Sequence, residues 1–237
     1  MIYITQPTYL PWIGYFSFLD KAEEIIFLDD VQFSKRSWQQ RNKIIFKENF
    51  LYLTVPVKSK GKRNQLIKDV EIYDNLFFSD HLKKIKHCYN NSQYFSEVFN
   101  LLENLRPEIS NKTSLSNMNI LLIKKICEYL KINIKYSNSS KLNINKKRSE
   151  KLAEICKARI KFNLMSNEGT IDYMENDMEI FKRNNIKIKF YKYETVNYRQ
   201  LSKKFEEKLS ILDLMFNEGP NSLKIIRKGL QEINPLR

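Results

Sequence analysis

Glycine is scarce in this chain, with five residues in 237. A dinucleotide fingerprint needs a cluster of glycines in one tight turn, and no stretch supplies it. Histidine is scarcer still, with His81 and His87 alone, too few for a histidine-rich metal centre. The three cysteines, Cys88, Cys127 and Cys156, are odd in number and widely spaced in apolar-periodic stretches. That pattern predicts buried free thiols in helices, with no disulfide framework, zinc site or thiol chemistry. No metal site is expected. No apolar run reaches the roughly 18 residues of a membrane span, and the N-terminus lacks the charged-then-apolar order of a signal peptide. A soluble, reduced, cytoplasmic protein is expected.

What is present supports a packed core. Hydrophobic residues make up 42% and aromatic residues 13%, which excludes global disorder. The net charge of +14 comes mostly from lysines scattered along the whole chain. Lysine, asparagine and isoleucine are abundant together, as an AT-rich genome would make them. The charge therefore fits a solvated basic surface, an anionic ligand such as a nucleotide, or nucleic acid, and does not choose among them.

The chain is organised around Gln6 to Asn42. An apolar run, Met1 to Thr5, ends at Gln6-Pro7, and Gly14 opens an apolar helical segment to Ala22. A second apolar run, Ile25 to Leu28, ends at Asp29-Asp30. Strand, loop, helix, strand is the start of a βαβ unit, whose ligands sit beyond the carboxyl ends of the strands. Leu51 to Val57, Asp69 to Tyr73, Asn133 to Tyr136, Ile160 to Met165 and Ile186 to Tyr191 read as further strands, the last edge-like. Helices are expected over 74–91, over 94–105 with a stop at Pro107, and over 116–130. Others are expected over 150–158 with Ser149 as cap, from the 167–170 turn through Phe181, over 209–216 and over 221–230. The rhythm predicts one α/β domain over 1–237: a mostly parallel, Rossmann-like sheet with helices on both faces and a helical insertion at 77–130.

Four stretches could carry chemistry. In the first, Pro7 is followed by Trp12-Ile13-Gly14-Tyr15, spaced like the Pro and His-x-Gly-His loop of nucleotidylyltransferase-like folds but with aromatics in place of both histidines. Either Gly14 serves close packing with Trp12 and Tyr15 as wall, or the aromatics stack on a base or sugar. In the second, Asp29 and Asp30 point to opposite faces if extended, so one would reach a pocket and the other would cap or pair with Lys35, Arg36 or Arg41. Lys35, Arg36, Trp38, Arg41 and Asn42 would add donors around an aromatic, or form a basic surface helix. In the third, Ser166 to Tyr173 runs from a strand end through one glycine into a helix. In the fourth, Asp213 and Asn217 share a helix face inside an apolar stretch.

The segments QPTYLPWIGYF, IIFLDDVQFSKRSWQQRNKI, LTVPV, KDVEI, SNMNILLIKKICEYL, FNLMSNEGTIDY and LSILDLMFNEGP follow one another in order. In these the chain resembles the WbqC-like protein family. The family pattern marks Gln6, Pro7, Tyr9, Pro11, Gly14, Tyr15, Asp29, Asp30, Gln32, Arg41 and Asn42. It also marks Ser166, Asp172, Tyr173, Asp213, Asn217 and Gly219-Pro220. The resemblance implies a role in bacterial surface-polysaccharide (O-antigen) biosynthesis, where nucleotide-linked deoxyamino sugars are made and decorated. The expected activity is transfer of an acyl or aminoacyl group onto such a sugar, with Asp29 or Asp30 handling the amine proton. Lys35 and Arg41 would hold diphosphate or carboxylate, and Tyr9, Trp12 and Tyr15 would edge the pocket. The donor would be an acid activated with ATP or an aminoacyl carrier such as charged tRNA. The alternatives are a nucleic-acid (tRNA) binding module and a non-catalytic partner of glycan-modifying enzymes.

Overall fold

The computed structural model describes residues 1–234. In chain order the elements begin with β1 (Ile2–Thr5), α1 (Ile13–Lys21) and β2 (Glu24–Phe27). A hairpin follows, β3 (Arg41–Phe46) and β4 (Asn49–Thr54), and then α2 (Phe77–Tyr89), α3 (Phe95–Ser110) and α4 (Leu115–Leu130). The second half runs β5 (Tyr136–Asn138), α5 (Arg148–Ala158), β6 (Asn163–Asn167), α6 (Ile171–Asn176), α7 (Met178–Arg183) and β7 (Lys187–Tyr193). It ends with α8 (Ile211–Glu218), α9 (Ser222–Gly229) and β8 (Leu230–Ile233).

The main sheet has six strands in the order β5-β2-β1-β6-β7-β8, parallel except for β8. Alternation along its strands divides the core into two layers. Tyr3, Ile25, Phe27, Met165 and Tyr191 face the layer built from α1 to α4, α8 and α9. Ile2, Ile26, Leu164 and Phe190 face the layer of α5 to α7. Helices thus cover both faces, as expected of an α/β fold. Helix α1 is buried from Ile13 to Leu19, because it lies between the sheet and the other helices of its layer. Between β2 and β5 the chain adds nothing to this sheet. It forms the β3–β4 hairpin and then the three helices α2 to α4.

Several local expectations are corrected. The stretch 35–42 is neither helix nor strand end: turns lead into β3, which begins at Arg41. Asp69–Tyr73 is not a strand. A 3-10 turn, Ile67–Asp69, precedes isolated bridges of Glu71 to Ser114 and Ile72 to Val57. Helix α3 runs through Pro107, which sits exposed in its last turns, where water can take up the carbonyl its missing N–H leaves free. Ser149 lies inside α5, and its hydroxyl donates to Asp177 (2.5 Å) instead of capping. Strand β7 is interior, because Leu230–Ile233 leaves the helical pattern and pairs antiparallel along it.

Candidate functional site

Strand β1 leads by α1 to β2 on one side, while β6, which flanks β1 on the other side, leads on to β7. The direction of winding reverses between β1 and β6, and in open α/β sheets a crevice opens at that point beyond the carboxyl ends. A cleft of about 900 Å³ lies there. From β1 and its loop it takes Thr5, Gln6, Thr8, Trp12 and Tyr15, and from the next loop and β3 it takes Trp38 and Asn42. The end of β6 gives Ser166 to Thr170 and, from α6, Tyr173, while the end of β7 gives Tyr191 to Thr195. Glu207 and Lys208 also line it.

The walls are aromatic and ordered by ring contacts. Trp12 meets Tyr193 edge to face at 5.5 Å, and Tyr3 stacks on Phe18 at 5.0 Å. Tyr15 donates its hydroxyl to the Gln6 carbonyl (3.1 Å). Burial pushes the Tyr3 and Tyr15 phenols up, so both stay protonated near neutral pH. Ser166 and Thr170 hydroxyls lie 2.7 Å apart, and Thr170 donates to the Asn167 carbonyl (2.6 Å). Glu194 is paired with Lys192 and accepts from Gln231 (2.8 Å). The Lys192 ammonium holds the Glu194 carboxyl below the usual range. Glu168 and Glu207 line the cleft with no ion-pair partner among the described residues. No cluster of metal-ligating side chains occurs among the described residues.

The loop that carries Trp38 is held from beneath. Gln39 donates to the Gln6 side chain (2.7 Å) and accepts from the Ser34 N–H (2.9 Å). Gln40 accepts from the Arg36 N–H (2.9 Å) and donates to the Val55 carbonyl (3.2 Å). Asn42 donates to the Tyr9 and Leu10 carbonyls, and Asn119 donates to those of Pro7 and Gln39. Asn42, expected as a ligand donor, therefore fixes the loop whose residues form the wall. Gly14 has a similar task. A Cβ there would lie 2.2 Å from the Trp12 indole, so the ring lies directly over the glycine. Gly14→Ala is expected to swing the indole off the wall. In a Trp38→Phe background, where Trp12 is the sole tryptophan, its emission should shift to the red. An unshifted spectrum would show that the ring does not depend on that space.

The expected convergence of Asp29 or Asp30 with Arg41 is not formed, and none of the three lines the cleft. Asp29 is buried, and its carboxylate accepts from Asn138 (2.7 Å) and from the Ser140 N–H (3.0 Å) and hydroxyl (2.9 Å). Asp30 pairs with Lys151 (2.7 Å) and accepts from Ser139. Neither meets Lys35, Arg36 or Arg41, because the polar chain after β5 covers the end of β2. Arg41 instead lies over the Tyr52 ring (4.4 Å). Tyr9 is fully buried, not an edge of the pocket. Its hydroxyl bonds His81 Nδ1 (2.8 Å). Gln32 donates to the Arg63 carbonyl, and Asp172 is exposed outside the cleft lining. Asp213 and Asn217 are buried in α8. Asp213 accepts from Tyr89 (3.0 Å) and Tyr198 (2.8 Å), and Asn217 donates to the Asp213 carbonyl (2.8 Å).

The structure does bring Gln6, Trp12, Tyr15, Trp38 and Asn42 together with Ser166 and Tyr173. Sequence reasoning missed Lys192 to Thr195, Glu207 and Lys208. The end of β7 could have been found by position, since every strand of a parallel sheet points its carboxyl end to the same side. Glu207 and Lys208, in irregular chain, carry no such signal.

The description of the WbqC-like protein family matches residues 6–225 of the chain. A Mycobacterium tuberculosis relative, the uncharacterised protein Rv1507c, is 31% identical over 229 residues, covering 95% of this chain and 98% of its own. No solved structure matches the chain. The chain belongs to the WbqC-like protein family.

Proposed function

We propose that this WbqC-like chain takes a nucleotide-linked amino sugar into the cleft between β1 and β6 and moves an acyl or aminoacyl group onto its amine. The reading places the chain in the cytoplasmic stage of surface-polysaccharide synthesis, as the family resemblance implies. One observation carries it: the cleft at the winding reversal combines aromatic walls with free carboxylates. Trp12 and Trp38 offer faces for a base or sugar ring, and Thr5, Thr8, Ser166 and Asn167 offer neutral hydrogen bonds for its hydroxyls. The cleft volume of about 900 Å³ suits a ligand of nucleotide-sugar size.

With Asp29 and Asp30 occupied elsewhere, the proton falls to Glu168 or Glu207. The sugar amine attacks the acyl carbonyl carbon and a C–N bond forms. The bond from that carbon to the leaving oxygen breaks, the oxygen keeps the electron pair, and a carboxylate takes the amine proton. The donor is an ATP-activated acid or a preformed aminoacyl carrier.

The test is calorimetric titration with UDP- and dTDP-linked aminodeoxy sugars, followed by turnover with donor. Trp12→Ala should weaken binding roughly tenfold, in line with the loss of one stacked ring. Glu168→Gln and Glu207→Gln should spare binding, and one of them should cut kcat by roughly a hundredfold. Equal affinity in wild type and Trp12→Ala, or full turnover in both glutamine variants, would remove this assignment.

A further inference from the structure

We infer that the mouth of the cleft binds single-stranded RNA, through a basic patch made by two loops that the hairpin neighbours and that are bonded to each other. The first loop, between β2 and β3, carries Lys35, Arg36 and Trp38. The second, after β4, carries Lys60, Lys62 and Arg63. Gln32 Nε2 donates to the Arg63 carbonyl (3.0 Å), the Phe33 N–H to the Gln65 carbonyl (2.8 Å), and the Ile67 N–H to the Val31 carbonyl (3.0 Å). The two loops are therefore one surface. All five cations are exposed, and none has an ion-pair partner among the described residues. On the second loop Lys58 is matched by Glu71, and just beyond it Lys68 by Asp69, which leaves these five as the unmatched cations of the two loops among the described residues. Residues 31–40 and 55–66 contain no acidic side chain, so the five charges are not offset within the two loops.

Three observations favour RNA over a lone diphosphate. Five cations on two loops exceed what two phosphates can neutralise, and they lie outside the cleft lining, where a bound nucleotide sugar would sit. Trp38 shares its loop with Lys35 and Arg36 and also lines the cleft, and at 50% exposure it offers ring surface on which a base can stack. Its loop is preorganised by the buried Gln39 and Gln40, which bond the Ser34 and Arg36 N–H groups. A strand tracking the cations would lead its last nucleotide past Trp38 into the cleft.

The inference rests on the proposed transfer only for the role of that end. There the RNA would be the aminoacyl donor. The sugar amine would form the C–N bond, the ester C–O bond to the terminal ribose would break, and the ribose oxygen would keep the electron pair and gain a proton. RNA binding itself stands independently of that chemistry.

The experiment is fluorescence anisotropy with a labelled short single-stranded RNA ending in CCA, titrated from low to moderate salt. The full chain is compared with a variant carrying alanine at Lys35, Arg36, Lys60, Lys62 and Arg63. A control removes the same charge from Lys131, Lys135, Lys187, Lys224 and Lys228, which are exposed and have no ion-pair partner among the described residues. The patch variant should lose affinity roughly a hundredfold at low salt, and its slope of log affinity on log salt should flatten by about 3 to 4. The control should change by less than about threefold. Trp38→Ala should weaken binding by roughly tenfold with the slope unchanged, because stacking releases no counterions. Equal losses in patch and control variants, or no RNA binding by the wild type, would overturn the inference. So would a patch variant that keeps RNA affinity while losing calorimetric binding of a UDP-sugar, since the cations would then serve a diphosphate. RNA binding without any nucleotide-sugar binding would instead leave the inference standing and remove the transfer reading.

Discussion

Lys151→Ala is expected to cost about 3–5 kcal/mol of stability, the largest loss for a single substitution proposed for this chain. The Lys151 ammonium is nearly buried on α5, 2.7 Å from Asp30 and 3.4 Å from the Ile144 carbonyl. The Ser139 hydroxyl reaches both Asp30 and Asp29, and Asp29 gathers Asn138 and Ser140. The cluster ties the end of β2 to the chain after β5 and to α5, so it joins the sheet edge to the helical layer. Removing the ammonium leaves a buried carboxylate with one neutral donor, and that uncompensated charge is the source of the loss. At this chain length the melting temperature should fall by roughly 10 °C. In urea the midpoint should fall with an unchanged slope. The double replacement Lys151→Met with Asp30→Leu should recover most of the loss, because both charges leave together. A Lys151→Ala protein melting within about a degree of wild type would return Asp30 to consideration as a free functional carboxylate.

The second large effect is a pair of opposed pH dependences in the core. Burial lifts the Asp213 carboxyl from 3.8 to about 6, against the hydrogen bonds from Tyr198 and Tyr89 that pull it down. The native state keeps this proton where the unfolded chain has released it. The contribution is therefore fully present below about 4 and lost as pH rises through about 6, roughly 3 kcal/mol in all. His81 behaves in the opposite sense. Burial lowers it from 6.5 to about 4, helped by Lys84. The native state refuses a proton that the unfolded chain accepts, so this contribution is present above 6.5 and lost as pH falls toward about 4, again roughly 3 kcal/mol. Between about 4 and 6 the two slopes largely cancel. Asp213→Asn should unmask the histidine. Measured against wild type by urea unfolding, its stability should rise by about 3 kcal/mol from pH 4 to 7. His81→Gln should show a fall of similar size over the same range. Difference curves that stay level across the window would mean that neither group changes its proton affinity on folding.

How far each of these features was legible follows from the range of the interactions that make them. The strands around Ile2–Thr5, Glu24–Phe27 and Asn163–Asn167 and the helices α2, α4, α8 and α9 are written in local apolar periodicity, which needs no knowledge of neighbours. The same signal misled where a partner decides. Lys187 and Lys189 alternate like an edge, yet β8 pairs along β7 from a stretch that reads as helix. Arg41 and Asn42 read as the end of a run of donors, yet they open β3, which pairs with β4, and Arg41 lies on Tyr52.

By itself the sequence determined the α/β class, the free cysteines, of which Cys127 and Cys156 are buried and Cys88 half-buried, and part of the cleft: Gln6, Trp12, Tyr15, Trp38, Asn42, Ser166 and Tyr173. Gln6 and Ser166 sit at ends of apolar runs, and a strand end exposes polar groups wherever the strand lies. Strand order alone decided which ends meet. Because β6 and not β2 completes the cleft beside β1, Ser166 joins Gln6, while the carboxylates after β2 turn toward the chain after β5 and become a clasp. Strand order is a balance of contacts across the whole sheet, some of them between residues more than a hundred positions apart, such as Ile2 with Leu164. No window of sequence contains that balance, so only the folded chain separates the cleft from the clasp.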